Sequence, residues 1–289
     1  MSSNLSTRNL RNFSGALRRG WASAWSTIEW NFTASPLTGI AERPPSRLLY
    51  ALRLAGLIGL FLTYVPPHLL SKWFLGRSGW PPRFLKHAGL IAGVRPKIEG
   101  EPLRPHTLVI ANHTSWLDIL ILGGWAGAAF VSKAELEKTP LLGWIADQNR
   151  TLYIDRAARR DSHGQVRRIT EALDHHQPLT IFAEGTTGSG RQLLPFRSTL
   201  MEAVAPAPPT VVVRPVTVDY GEFADVVGWH SGERGIANFK RVLGHRGSIP
   251  VTVRLLEPLP PSDDRKSLAR NARQSIAAAL SSLHAPTSL

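Results

Sequence analysis

From residue 107 onward, short apolar runs alternate with stretches of helical periodicity, and no other feature of this sequence restricts its fold as strongly. Thr107 to Ala111 (TLVIA), Ala128 to Ser132 (AAFVS), Thr151 to Ile154 (TLYI), Leu179 to Ala183 (LTIFA), Val211 to Val218 (VVVRPVTV) and Val251 to Leu255 have the length and side chains of buried strands. Between them, Ser115 to Gly124, Pro140 to Gln148, Arg159 to His176 and Ser198 to Val204 read as helices, and Ser262 is expected to cap a last helix ending near Leu283. Strands alternating with helices predict an α/β fold: a mixed or largely parallel sheet flanked by helices. In such sheets ligands gather at the carboxyl ends of the strands, so the residues at those ends are the candidates for chemistry.

The first strand runs into Asn112-His113-Thr114-Ser115-Trp116-Leu117-Asp118. On one continuous helix, residues five apart point in different directions. His113 and Asp118 therefore meet only if the histidine lies in the loop and the aspartate in the first turns of the helix. A carboxylate that fixes the imidazole tautomer leaves the other ring nitrogen able to take a proton from a hydroxyl. Alone, the pair does not distinguish a catalytic base from a turn histidine. A later strand runs into Phe182-Ala183-Glu184-Gly185-Thr186-Thr187-Gly188-Ser189-Gly190, whose glycines let backbone amides approach an anion. It is neither a P-loop nor a nucleophile elbow, lacking both Gly-Lys-Ser/Thr and Gly-x-Ser-x-Gly. Lys133 and Arg156 follow two further strands, where they would face the same crevice.

Taken in order, NHTSWLD, FVSKAEL, TLYIDR, FAEGTTGSG with LPFRSTL, and VRPVTV resemble the blocks of the 1-acylglycerol-3-phosphate acyltransferases, the lysophospholipid acyltransferase family, over about residues 105 to 260. The length of the third block resembles the bacterial branch that includes lyso-ornithine lipid acyltransferases. The resemblance implies a general base at His113 oriented by Asp118. It also implies acceptor-binding roles for Lys133, Arg156, Glu184, Gly185 and Thr186. It implies acyl-CoA or acyl carrier protein as donor, a lysolipid such as lysophosphatidic acid as acceptor, no metal and no further cofactor. The family's third block usually reads Phe-Pro-Glu-Gly-Thr-Arg-Ser; here Ala183 and Thr187 replace the proline and the arginine. The loss of a guanidinium removes a bidentate phosphate partner, which leaves Arg191, Arg197 or a different acceptor headgroup, such as that of lyso-ornithine lipid, to account for recognition.

The charge is distributed unevenly. Of the net +13, residues 1 to 104 hold fourteen basic and four acidic residues, a net of +10, with five of the nine tryptophans. Arginine interleaved with tryptophan suits a membrane interface; it also suits single-stranded nucleic acid. Leu10, Phe13, Leu17, Trp21, Trp25 and Ile28 fall on one stripe of a helix, which favours an in-plane amphipathic helix. A second apolar stretch, Leu48 to Val65, crosses only Arg53 and is expected to end at Pro66-Pro67; Trp73, Phe74, Trp80, Phe84 and Leu85 form a second interfacial piece. These segments predict a hairpin or dipping helix pair in one leaflet, or else a single span. The expected organisation is a membrane-anchoring region over 1–104 and an acyltransferase domain over 105–289, on the cytoplasmic face of a bacterial inner membrane. A non-enzymatic binder of anionic lipid or nucleic acid would explain the charge but not the ordered blocks, so no nucleic-acid partner is expected. The absence of cysteine excludes a thiol nucleophile, a disulfide framework and Cys-ligated metal.

Overall fold

A computed structural model describes residues 44–154, 162–174, 177–199, 201, 205, 207, 210–229 and 232–284. The expected amphipathic helix around residues 10–28, and Arg156, lie outside the described residues. Seven strands form one sheet: β1 (Val94–Glu99), β2 (Thr107–Ala111), β3 (Ala129–Lys133), β4 (Leu152–Ile154), β5 (Leu179–Phe182), β6 (Val212–Asp219) and β7 (Ile249–Leu255). Their order is β1-β7-β6-β2-β5-β3-β4. Every pairing is parallel except β6 with β7, which is antiparallel. β2 and β5 lie side by side at the centre, in register from Leu108 opposite Leu179 to Ala111 opposite Phe182. The His113 segment and the glycine-rich segment therefore leave the sheet as neighbours.

The side-chain alternation of β2 divides the core into two layers. Val109 and Ala111 pack with α2 (Trp80–Ala92), α3 (Leu117–Trp125) and α8 (Gly235–Gly244) on one face of the sheet. Leu108 and Ile110 pack with α6 (Ser162–Asp174) and α9 (Arg265–His284) on the other. The remaining short elements are α4 (Ala134–Glu137), α5 (Pro140–Gln148) and α7 (Ala224–Val227). Asp264 rather than Ser262 caps α9: its carboxylate accepts the backbone N–H groups of Lys266 and Ser267, while Ser262 accepts from the amide of Asp264. The division expected at 104/105 falls between β1 and β2 of the one sheet, because β1 pairs with β7 along its whole length.

α1 (Arg47–Leu75) is a helix of 29 residues that continues through Pro66 and Pro67, where an end was expected. Two prolines remove two amide donors, yet the turn beyond them is held from outside the helix. His68 bonds Ser78 (2.7 Å) and Gln148 (2.9 Å), and the Trp80 indole donates to Ser71. These bonds require that Trp80 turn inward; Phe84 packs edge-on against Phe61, and Leu85 is buried. Of the expected interfacial aromatic residues, Trp73 and Phe74 remain outside, 82% and 76% exposed. Nine of the eleven exposed large hydrophobic residues among those described lie on α1, and α1 is long and apolar enough to cross a membrane.

Arg53, the charge that interrupts this apolar run, does not face outward with it. Its guanidinium donates to the carbonyls of Val242, Leu243, His245 and Gly247 and so caps the end of α8. A helix terminus exposes unsatisfied carbonyls and a negative dipole end, both of which a cation satisfies. Replacing Arg53 with methionine keeps most of the stem but deletes the cap. The variant in detergent should lose about 1.5–3 kcal/mol, read as a fall of several degrees in the melting midpoint.

Candidate active site

At the end of β2 the Asn112 side chain continues the strand pairing, donating to the carbonyl of Val218 (2.9 Å) and accepting its N–H (2.8 Å). The next residue, His113, leaves the sheet with both backbone groups engaged. Its N–H donates to Glu184 Oε1 (2.9 Å) and its carbonyl accepts the N–H of Gly188 (2.9 Å). The backbone that carries the imidazole is thus clamped by the loop after β5.

The side chain is held as firmly. His113 Nδ1 lies 2.8 Å from Asp118 Oδ2, and that oxygen also accepts the N–H groups of Thr114 (2.8 Å) and Ser115 (3.0 Å). The other oxygen, Oδ1, accepts the hydroxyl of Tyr220 at 2.6 Å. Asp118 is completely buried. A carboxylate only accepts, so Nδ1 carries the proton and the Nε2 lone pair of the neutral ring is available. The imidazole stacks on Phe182 at 3.8 Å with an interplanar angle of 13°, and Phe182 stacks in turn on Phe130. This aromatic floor prevents the ring from tipping out of line with Asp118. Burial, followed by the proximity and hydrogen bond of Asp118, holds the Tyr220 phenol well above its ordinary pKa, so it acts only as a donor.

Glu184 does not present its carboxylate to the crevice. It is 4% exposed, and its two oxygens accept one backbone N–H each, from His113 and from Leu194 (3.1 Å). Burial pushes its pKa up to about 8, against the opposing effect of the two amide donors. The expected acceptor contact is thus a brace behind the histidine. Gly185 (φ 71°) makes the turn that permits this, its N–H returning to the carbonyl of Phe182. Thr186 is half-buried on the loop, while Thr187 is 5% exposed with its hydroxyl unpartnered among the described residues. At Gly190 a Cβ would stand 2.7 Å from Thr114 Cγ2, so the loop approaches the histidine segment closely. Arg191, one of the two substitutes considered for the missing arginine, is paired with the buried Asp225, 2.6 Å from Nη2 to Oδ2; Arg197 is exposed. Lys133 stands at the end of β3, opposite Ile154 of β4 and one strand beyond β5. The structure therefore gathers His113, Asp118, Glu184 and Gly185 into one hydrogen-bonded unit, and leaves Lys133 two strands from His113.

One member of the unit, Tyr220, was not among the expected residues, and Asn238 braces the helix start beside it. Tyr220 lies just past the end of β6, where the strand-end rule directs attention. Asn238 of α8 accepts the Trp116 indole N–H (3.2 Å) and donates to the carbonyls of Val227 and Gly228. No local pattern marks it.

The Glu184 carboxyl has a consequence for pH. Its pKa of about 8 exceeds the ordinary 4.5, so the folded protein holds a proton that the unfolded chain releases between those values. Its contribution to stability is complete below about pH 4.5 and is lost as pH rises through about 8. In Glu184→Gln the melting midpoint should vary less with pH across this interval than in the parent. The amide satisfies only one of the two N–H groups, so the variant should also be less stable at the acid end.

With this geometry in hand, the similarity to known proteins is informative. A family model described as Acyltransferase matches residues 95–219, which include β2, β5, β6 and the whole hydrogen-bonded unit except Tyr220. The lyso-ornithine lipid O-acyltransferase of Pseudomonas aeruginosa is 38% identical over 223 residues, 75% of this chain and 81% of that protein. The enzyme of the same name from Brucella abortus is 31% identical, over 79% of this chain and 92% of that one. Among solved structures, the 1-acyl-sn-glycerophosphate acyltransferase PlsC of Thermotoga maritima shares the fold with a TM-score of 0.61 at 21% identity, covering 83% of this chain and 97% of that one. Sequence identity over most of both chains, together with that common fold, establishes that this protein belongs to the acyltransferase family.

Proposed function

We propose that the protein moves a fatty acyl group from a thioester donor, acyl-CoA or acyl carrier protein, to the free hydroxyl of a lysolipid. The observation that carries this reading is the His113 imidazole with Nδ1 bonded to buried Asp118 and Nε2 unbonded among the described residues. Nε2 takes the proton of the acceptor hydroxyl as its oxygen attacks the thioester carbonyl carbon. The tetrahedral intermediate then expels the thiolate, and the imidazolium returns the proton to sulfur. No acyl-enzyme is required, and the chain has no cysteine to form one.

For the acceptor, the two relatives described above are lyso-ornithine lipid acyltransferases, which favours an amino-lipid of that class. Thr187 in place of the family's arginine supports the same choice, since a buried neutral hydroxyl offers no countercharge to a phosphate. Lysophosphatidic acid is the second reading, favoured by the shared fold with a glycerophosphate acyltransferase. Lys133 at the end of β3, Arg156, which follows β4 in the sequence, and Thr186 on the glycine-rich loop are the proposed headgroup contacts. The outward apolar face of α1 and the basic N-terminal region support attachment to the cytoplasmic face of a bacterial inner membrane, where cationic segments are retained.

The purified protein assayed with both acceptors should acylate lyso-ornithine lipid in preference to lysophosphatidic acid; the reverse order would favour the second reading. His113→Ala should lower kcat by about 100-fold or more while membrane association persists, and retained turnover would overturn the assignment. Tyr220→Phe leaves a buried carboxylate oxygen without its donor and should lower kcat about tenfold with little change in KM.

A further inference from the structure

α9 carries four basic residues, Arg265, Lys266, Arg270 and Arg273, and no acidic one. Spacings of four and three place Lys266, Arg270 and Arg273 on a single face. All three are exposed, while Leu268, Ala269 and Ala272 on the opposite face enter the core. The nearby acids Asp263 and Asp264 lie before the helix, and Asp264 is engaged as its cap. The stripe continues onto the loop after β5. Arg273 donates to the carbonyl of Leu193 (3.2 Å), and Arg197 is exposed four residues further along. The same loop reaches the active site, because the amide of Leu194 bonds Glu184, which holds the backbone of His113.

The position of the stripe identifies its partner. α9 packs on the sheet face formed by Leu108 and Ile110, whereas the apolar helix α1 rests against α2 and α8 on the opposite face. With layers about 10 Å apart, the sheet separates the stripe from α1 by about two layers. That is beyond the screening length of about 8 Å at physiological salt. Headgroups that contact α1 therefore do not neutralise α9, and the stripe faces water. It is also convex and spread over two helical turns and a loop, unlike the concave pocket that a nucleotide requires. An acidic protein surface matches both properties.

We infer that Lys266, Arg270, Arg273 and Arg197 form the docking surface for an acidic carrier protein that brings the acyl group as a thioester. The inference rests on the acyl-transfer reading above and specifies the donor of that reaction. The carrier approaches from the aqueous side while the lipid acceptor approaches from the membrane side, and the two meet at the ends of β2 and β5.

The test uses the full chain in nanodiscs, with matched acyl chains supplied either on an acyl carrier protein or as acyl-CoA. In Lys266→Glu/Arg270→Glu, KM for the carrier-bound donor should rise about tenfold, with kcat and the acyl-CoA kinetics changed by less than about twofold. Lys266→Gln/Arg270→Gln should give a smaller rise in the same direction, which guards against misfolding of the charge-reversed variant. In the parent enzyme, carrier KM should rise with salt more steeply than acyl-CoA KM. An unchanged carrier KM, an equal loss with both donors, or a parent enzyme that accepts acyl-CoA alone would overturn the docking surface while leaving acyl transfer intact. Absence of turnover with either donor on any lysolipid would overturn the acyl-transfer reading and the docking surface with it.

Discussion

The site depends on two buried acidic side chains that hold His113 differently. Asp118 bonds the ring and Glu184 bonds the backbone, so neither translation of the main chain nor rotation of the imidazole is free. Both acids are buried, and each is compensated by amide donors rather than by a cation. Burying an ionised carboxyl without partners is prohibitively costly, and burial accordingly raises the pKa of Glu184 to about 8 despite its two amide donors. The amides that approach Asp118 come from the turn between β2 and α3, and those that approach Glu184 come from His113 and from the loop after β5. The two loops thus depend on each other, which accounts for the close approach of Gly190 to Thr114. If His113 is the base, as proposed, preorganisation of this kind places it before the acceptor arrives, so its cost is met by folding rather than by binding.

The sheet also separates two environments. On one face α1 presents exposed leucine, tryptophan and phenylalanine, and its one interior arginine is withdrawn to cap α8. On the other face the charged residues of α9 are all basic. A reaction that joins a lipid to an acyl group delivered from water needs access from both sides. His113, the proposed base, lies at the strand ends between those faces. On the proposed reading the net charge of the chain has two uses, one near the membrane and one away from it.

The central strands were legible because they are buried on both faces and so appear as unbroken apolar runs, as TLVIA does. β1 was not, because VRPKIE is an edge strand whose alternating exposed residues resemble a loop. The length of α1 was misjudged for a physical reason: a proline pair ends an isolated helix, but here partners on α2 and α5 hold the following turn. In the site, His113 and Asp118 were legible from their spacing across a strand–helix junction. The role of Glu184 was not, since its partners are backbone amides brought near by the sheet, and a buried brace and an exposed ligand look identical in sequence. Tyr220 reaches the site only through long-range packing, 102 residues from Asp118 in the sequence.

The central claim is that Asp118 fixes the imidazole with its proton on Nδ1, leaving the Nε2 lone pair for the acceptor hydroxyl. Nitrogen NMR of protein labelled at histidine reads this directly, with the His113 signals assigned by their loss in His113→Gln. The neutral ring should carry its proton on Nδ1 and leave Nε2 bare. A neutral ring protonated on Nε2 would contradict it.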